Sequence, residues 1–260
     1  MKIVFWSPNK GRCHTTSSML AISSTLAFTS GLRTCVISAN SSDKYHTAIL
    51  GKDSMLNDSI STFGLDALFR DVKGSALSKS NIEDAALDLS ARYSVFASAS
   101  TTDKKLIDND LMACHSDLFN ALDAIYSLVF IDTKGGFSAL NQQILAEADL
   151  IVICLNQSAY SVNKAFSRCK FGAQNCMFLI GDYDSGINIS PKNLQKKYKE
   201  VTFKNSAVVP HNADFANAMN SGTLYSWMAL NQKCKMKDPN YGFFKEVNSA
   251  SEKLMKLLKK

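Results

Sequence analysis

Several signatures that would place this chain quickly are missing. No apolar run reaches the roughly 18 residues that a membrane-spanning helix needs. The first residues, MKIVFWSPNKGR, hold too short an apolar run for a signal peptide and no small-residue cleavage site. Cysteine pairing is missing too. Seven cysteines stand at 13, 35, 114, 154, 169, 176 and 234, an odd number with no CxxC spacing. Several sit in strand-like apolar runs such as TCVIS and IVICL. That pattern excludes a disulfide framework or a zinc site and reads as reduced, buried thiols in a cytoplasmic protein. The four histidines (14, 46, 115, 211) are scattered without metal-ligand spacing. Linkers, repeats and low-complexity tracts are absent, so residues 1–260 are read as a single domain. A strong charge is absent as well. With 29 Lys+Arg against 23 Asp+Glu the net charge is +6, which permits DNA or acidic-membrane contact but argues for neither.

What is present is enough apolar material for a full core: 46% hydrophobic and 20% charged residues over 260 positions. Short β-branched runs alternate with helical stretches. Strands are expected at Lys2–Trp6, Arg33–Ser38, Tyr93–Ala97, Ser127–Ile131, Leu150–Leu155, Cys176–Ile180 and Ala207–Val209. Helices are expected at Thr15–Ser30, Gly64–Arg70, Ile82–Leu89, Asp110–Ile125, Leu140–Ala148, Ser161–Cys169, Pro191–Tyr198, Asp214–Ser221 and Tyr241–Leu258. Residues 40–60 are polar and carry no clear pattern. Strands apolar on both faces, separated by helices, indicate βαβ units. The expected fold class is α/β, a doubly wound and mostly parallel sheet with helices on both faces.

In such a sheet the first strand-to-helix loop is the usual phosphate site. Here it reads Ser7-Pro8-Asn9-Lys10-Gly11-Arg12-Cys13-His14-Thr15-Thr16. A P-loop needs glycines that let backbone N–H groups curl around phosphates, a Lys on the outer oxygens and a Ser/Thr hydroxyl on Mg²⁺. Setting Thr15 on the Ser/Thr puts His14 in place of the Lys, Cys13 in place of the preceding Gly and Pro8 in place of the first Gly. By pattern alone this Walker A loop is degenerate.

The order of the remaining segments carries a resemblance. TCVISANSS stands where the ParA/MinD family of deviant P-loop ATPases has a strand ending in Asp-x-Asp. SLVFIDTKGG looks like that family's apolar strand ending in Asp-Thr-Pro-x-Gly. AEADLIVICLNQSAYSVNKA, LIGDYDSG and VVPHNADFANAMNSGTLYSW follow in the family's order. Over nearly all 260 residues the chain resembles this family, including its TadZ/CpaE-like branch that positions pilus machinery.

The resemblance implies roles for particular residues. Thr15 becomes the Mg²⁺ ligand, against a plain helix-capping role; Thr16 is a neighbouring phosphate contact or part of the first turn. Gly11 is either a turn glycine or a point of close phosphate approach. Asn9 stands where the family keeps a Lys that reaches the partner subunit's nucleotide. Lys10 and Arg12 are displaced loop cations, or simply solvated ones, beside a helix N-terminus. Asp132 becomes the Walker B carboxylate, holding Mg²⁺ through water, against a turn cap for Thr133–Gly136. Asn40 takes the place of the water-orienting Asp; an amide cannot accept that proton, and Asp43 is a weak substitute. Gly181-Asp182 stands where the family often sets an Asn against adenine, and Pro210, followed by His211 and Asn212, matches its base-flanking Pro.

The lysines at 196, 197, 199, 204, 233, 235 and 237 admit weak DNA contact, with a solvated face the commoner explanation. The C-terminal stripe Phe243, Val247, Ala250, Leu254 and Leu258 reads as a core helix, with peripheral membrane contact as its rival. The resulting expectation is a ParA/MinD-like positioning or scaffold protein. It would bind ATP and Mg²⁺, form a homodimer, engage an unidentified partner protein and hydrolyse ATP weakly or not at all. The rivals are a working ATPase of the same family and an interaction protein that binds no nucleotide.

Overall fold

The structure is a computed structural model that describes residues 1–11, 13–40, 49, 63–169 and 175–259. Strands form where apolar residues run unbroken: β1 (Lys2–Trp6), β2 (Thr34–Ala39), β5 (Leu128–Thr133), β6 (Leu150–Leu155), β7 (Cys176–Tyr183) and β8 (Ser206–Pro210). Two short ones, β3 (Leu87–Ser90) and β4 (Tyr93–Val95), complete a sheet of eight among the described residues, in the order 3-4-2-5-1-6-7-8. All neighbours are parallel except β3 and β4. The mostly parallel, doubly wound expectation holds, with one antiparallel edge.

Because side chains alternate across a strand, each central strand feeds both cores. Ile3 and Phe5 of β1 point to one face, and Val4 and Trp6 to the other. The first face is covered by α1 (Thr15–Thr29), α8 (Ala213–Ser221), α9 (Leu224–Asn231) and α10 (Tyr241–Leu258). The second is covered by α2 (Gly64–Lys73), α3 (Lys79–Ala85), α4 (Lys104–Ile125), α5 (Ala139–Ala146), α6 (Ala159–Arg168) and α7 (Pro191–Lys197). Helix α1 is buried from Ser18 through Ala27. The buried Thr25 hydroxyl is satisfied within the helix, its Oγ1 donating to Ala21 O at 2.8 Å. The stripe of α10 (Phe243, Val247, Ala250, Leu254) packs into the core.

Three elements depart from the sequence expectation. The helix expected over Ile82–Leu89 ends at Ala85, and Leu87–Ser90 becomes the antiparallel edge strand, with exposure alternating along it. Pairing with β4 decides this, helped by Ser94 Oγ donating to Asp88 Oδ1 at 2.5 Å. Helix α4 starts six residues before the expected Asp110, because Asp103 caps the N–H groups of Lys105 and Leu106. Helix α9 was not expected at all. Residues 41–48 and 50–62, with Asp43 among them, lie outside the described residues, as does Arg12.

Candidate functional site

Strand order reverses around β1, so the loops leaving its carboxyl end and those of its neighbours splay apart and leave room for a ligand. In register, Asp132 of β5 stands between Phe5 of β1 and Ser38 of β2. Its carboxylate is fully buried. Thr16 Oγ1 donates to Asp132 Oδ2 at 2.7 Å. Thr15 instead places its hydroxyl beside the buried Cys154 thiol. The hydroxyl that meets Asp132 is thus that of Thr16, the residue the resemblance makes a phosphate contact or part of the first turn. His14 holds a left-handed backbone (φ 52°, ψ 35°), and α1 begins at Thr15, where the sequence places its start. One residue turns a helical side chain by about 100°. Asn40 follows Ala39 at the end of β2, the strand beside Asp132, and its N–H donates to Ser38 Oγ at 3.0 Å.

The loop after β1 is fastened to the loop after β5. Gly136 N–H donates to Ser7 O at 2.8 Å, and Trp6 Nε1 donates to Gly136 O at 2.9 Å. The approach is so close that a Cβ on Gly135 would lie 2.3 Å from Asn9 O, which only glycine tolerates. The aliphatic chain of Lys10 lies over Gly136. Asn9 is nearly buried and its Nδ2 donates to Ser161 O of α6 at 3.2 Å, so its amide is turned into its own subunit. Lys10 and Gly11 are exposed, and Gly11 has φ 70°. The Cys13 thiol is buried among the Ser7 and Asn9 side chains and the Asn156 backbone; burial raises its pKa and keeps it protonated.

His14 does not face into this loop. Its Nε2 lies 3.7 Å from Asp182 Oδ2. The other oxygen of the same carboxylate, Oδ1, accepts from His211 Nδ1 at 2.8 Å. Asp182 thus sits between two imidazoles, one from the loop and one from the turn after β8. Gly181 makes the approach workable: a Cβ there would come within 2.7 Å of His14 Cβ and 2.8 Å of Ser18 Oγ. Gly181 is therefore a packing glycine against the start of α1. Pro210 lies in β8 opposite Tyr183. Among the described residues, no group of three or more His, Cys, Asp or Glu side chains is arranged to hold a metal ion. No helix among them is long and apolar enough to cross a membrane.

The structure therefore joins Thr16 to Asp132 and His14 to Asp182, and it turns Asn9 away. Sequence reading missed the anchoring role of Ser161 and the tie between His211 and Asp182. Nothing local signals either, since both contacts join segments far apart in the chain.

The remaining donor set suits hard ions. A hydroxyl and a carboxylate are Mg²⁺-type ligands. The first turn of α1 carries no acidic residue, which suits an anion at its N-terminal end.

No family model matches the chain, and no curated protein matches it in sequence. Solved structures match it along its length. A ParA family ATPase from Chlorobium tepidum superposes with a TM-score of 0.73 at 14% identity, covering 96% of this chain and 98% of that one. The cell division ATPase MinD of Pyrococcus furiosus gives 0.72 at 16% identity, covering 98% of both chains. The septum site-determining protein MinD of Pyrococcus horikoshii, complexed with Mg-ADP, gives 0.71 at 15% identity, covering 99% of both. The chain has the ParA/MinD ATPase fold.

Proposed function

We propose that this protein is a positioning or scaffold factor of the ParA/MinD type that binds ATP·Mg²⁺ at the loop after β1 and hydrolyses it weakly or not at all. The observation that carries this reading is His14. On the resemblance it takes the place of the phosphate-binding Lys, and its Nε2 stands 3.7 Å from the Asp182 carboxylate. Imidazole is shorter than a Lys side chain and lacks its permanent charge, so at most it donates one hydrogen bond to a phosphate. Asn40 offers no proton-accepting group to an attacking water. Asn9 spends its amide on Ser161 and does not reach a partner subunit.

Binding itself keeps its parts. Thr16 and Asp132 would hold the metal ion, and the first-turn N–H groups of α1 would receive phosphate oxygens. Bound ATP·Mg²⁺ would supply divalent charge and a phosphate chain to fasten the two loops together. The loop at 133–136 and the segment 156–165 are retained at the same edge, which supports an isologous homodimer closing over this site. The Mg-ADP complex of the Pyrococcus horikoshii MinD supports nucleotide and metal as the ligand class.

A second reading rests on Asp182 and Cys13. A carboxylate beside the Lys position and a thiol packed within the loop both oppose a phosphate chain, which favours an interaction protein that binds no nucleotide. Calorimetric titration with ATP·Mg²⁺, followed by a phosphate-release assay, decides. The expected result is binding with turnover far below about 1 s⁻¹. Turnover at that rate or faster would make the protein a working ATPase, and absent binding would favour the second reading.

A further inference from the structure

The carboxyl end of β7 and the turn after β8 meet in one side-chain contact: His211 Nδ1 stands 2.8 Å from Asp182 Oδ1. Both partners are held by the backbone. β7 carries one extra residue here, since Ile180 pairs with Val208 but Tyr183 with Pro210. A bulge of this kind re-aims a side chain, and Asp182 takes φ 52° within it. His211 N–H donates to Tyr183 O at 2.9 Å, just past the same bulge. His14 Nε2, from the start of α1, lies 3.7 Å from the other oxygen of Asp182, so the pair adjoins the loop after β1. His211 also lines a cavity of about 920 Å³, together with Tyr183, Pro210, Asn212 and Tyr241. That volume lies in the range of small-molecule sites.

The chemistry of the contact decides which proton His211 carries. A carboxylate accepts and does not donate, so the shared proton belongs to Nδ1. In the neutral imidazole Nε2 is then a bare acceptor. The His211 side chain is exposed, which leaves that acceptor within reach of a ligand. Its neighbours offer no such group. Pro210 has no polar side chain, and the Asn212 amide is committed: Oδ1 accepts from Phe215 N–H at 2.7 Å and Nδ2 donates to Asn240 Oδ1 at 2.9 Å. Given the nucleotide reading above, on which this rests, we propose that His211 Nε2 accepts a hydrogen bond from the exocyclic amine of the base. Asp182 is the positioning residue that keeps the imidazole in the accepting tautomer. A purine carrying a 6-amine is thereby preferred over the same purine without it, because an acceptor left facing a ring without a donor loses its bond to water and gains none.

The probes are ATP and purine riboside triphosphate, which lacks only the 6-amine, titrated with Mg²⁺ into the full chain at about pH 8.5, above the ordinary imidazole range. The parent should bind ATP about tenfold more tightly than the analogue. His211→Phe should bind the two within about threefold of each other. Asp182→Asn should do the same, because an amide no longer forces the proton onto Nδ1. Nitrogen-15 spectra of the nucleotide-free protein give a readout that a merely structural Asp182 would not move. His211 should hold its proton on Nδ1 in the parent and release part of it to Nε2 in Asp182→Asn. The inference alone is overturned if the parent binds both triphosphates equally, if either variant keeps the parent's preference, or if the parent's His211 proton rests on Nε2. If neither triphosphate binds at all, the nucleotide reading falls and the inference falls with it.

Discussion

His14 holds a backbone conformation that a non-glycine residue rarely adopts, at a cost of order 1 kcal/mol or more, and Gly181 and Asp182 pack against it to keep it there. Two things follow from that one residue. The imidazole faces a carboxylate, and α1 starts at Thr15 with the Thr16 hydroxyl on Asp132. A hydroxyl-to-methyl change separates the two threonines. Thr16→Ala should weaken Mg²⁺-dependent ATP binding by about tenfold or more, whereas Thr15→Ala should change it by less than about threefold. Titration of each variant with ATP, with and without Mg²⁺, measures both. The reverse ranking would make Thr15 the metal ligand, as the resemblance implies. The residue types at this site were readable from the chain alone; the choice between two adjacent hydroxyls was not, because it rests on a backbone angle.

Helix α1 ties the loop to the sheet through polar contacts set in an apolar layer. Tyr93 of β4 is fully buried, its hydroxyl 2.9 Å from Ser23 Oγ and 3.3 Å from Ser24 Oγ, and its ring stacks on Tyr225 of α9 at 6.0 Å. Burial pushes the Tyr93 pKa up to about 12, from an ordinary value of 10. The folded state therefore holds this proton more tightly than the unfolded chain does. Its contribution to stability is complete below about pH 10 and is lost as pH rises through about 12, a change of roughly 3 kcal/mol. Denaturant midpoints across pH 8 to 12 should fall along that limb. Tyr93→Phe should flatten part of the fall while lowering stability at neutral pH, since Ser23 and Ser24 lose their partner. Tyr126, also raised to about 12, retains its own share. If the alkaline limb of Tyr93→Phe matches the parent's, the linkage is wrong. Elements of this kind differ in how readable they are. The runs KIVFW, LVFIDT and LIVICL declare buried strands, because both faces are apolar. DAALDLS reads as helix by its spacing and becomes half helix and half strand, because β4 lies within reach and offers ladder bonds.

Across the whole molecule, the loops that close the proposed nucleotide site sit at one edge, and Gly135, Gly136 and Gly181 press against that first loop. On the proposed reading of weak hydrolysis, a face built this closely is expected to associate without turnover to separate it. Light scattering at tens of micromolar should show a dimer that is stable or strengthened by ATP·Mg²⁺. A monomer under both conditions would instead assign this face to a different partner chain.

Hydrophobic periodicity was enough to specify the α/β class and the parallel centre of the sheet. Those features depend on side chains within a few residues of one another, so a local pattern carries them. The tertiary structure alone decided that Thr16 meets Asp132, that Asp182 lies between His14 and His211, and that Asn9 turns to Ser161. Each of these contacts joins segments distant in the chain or depends on how two loops cross. Their energies come from packing and hydrogen bonds that exist only once the sheet has brought the segments together.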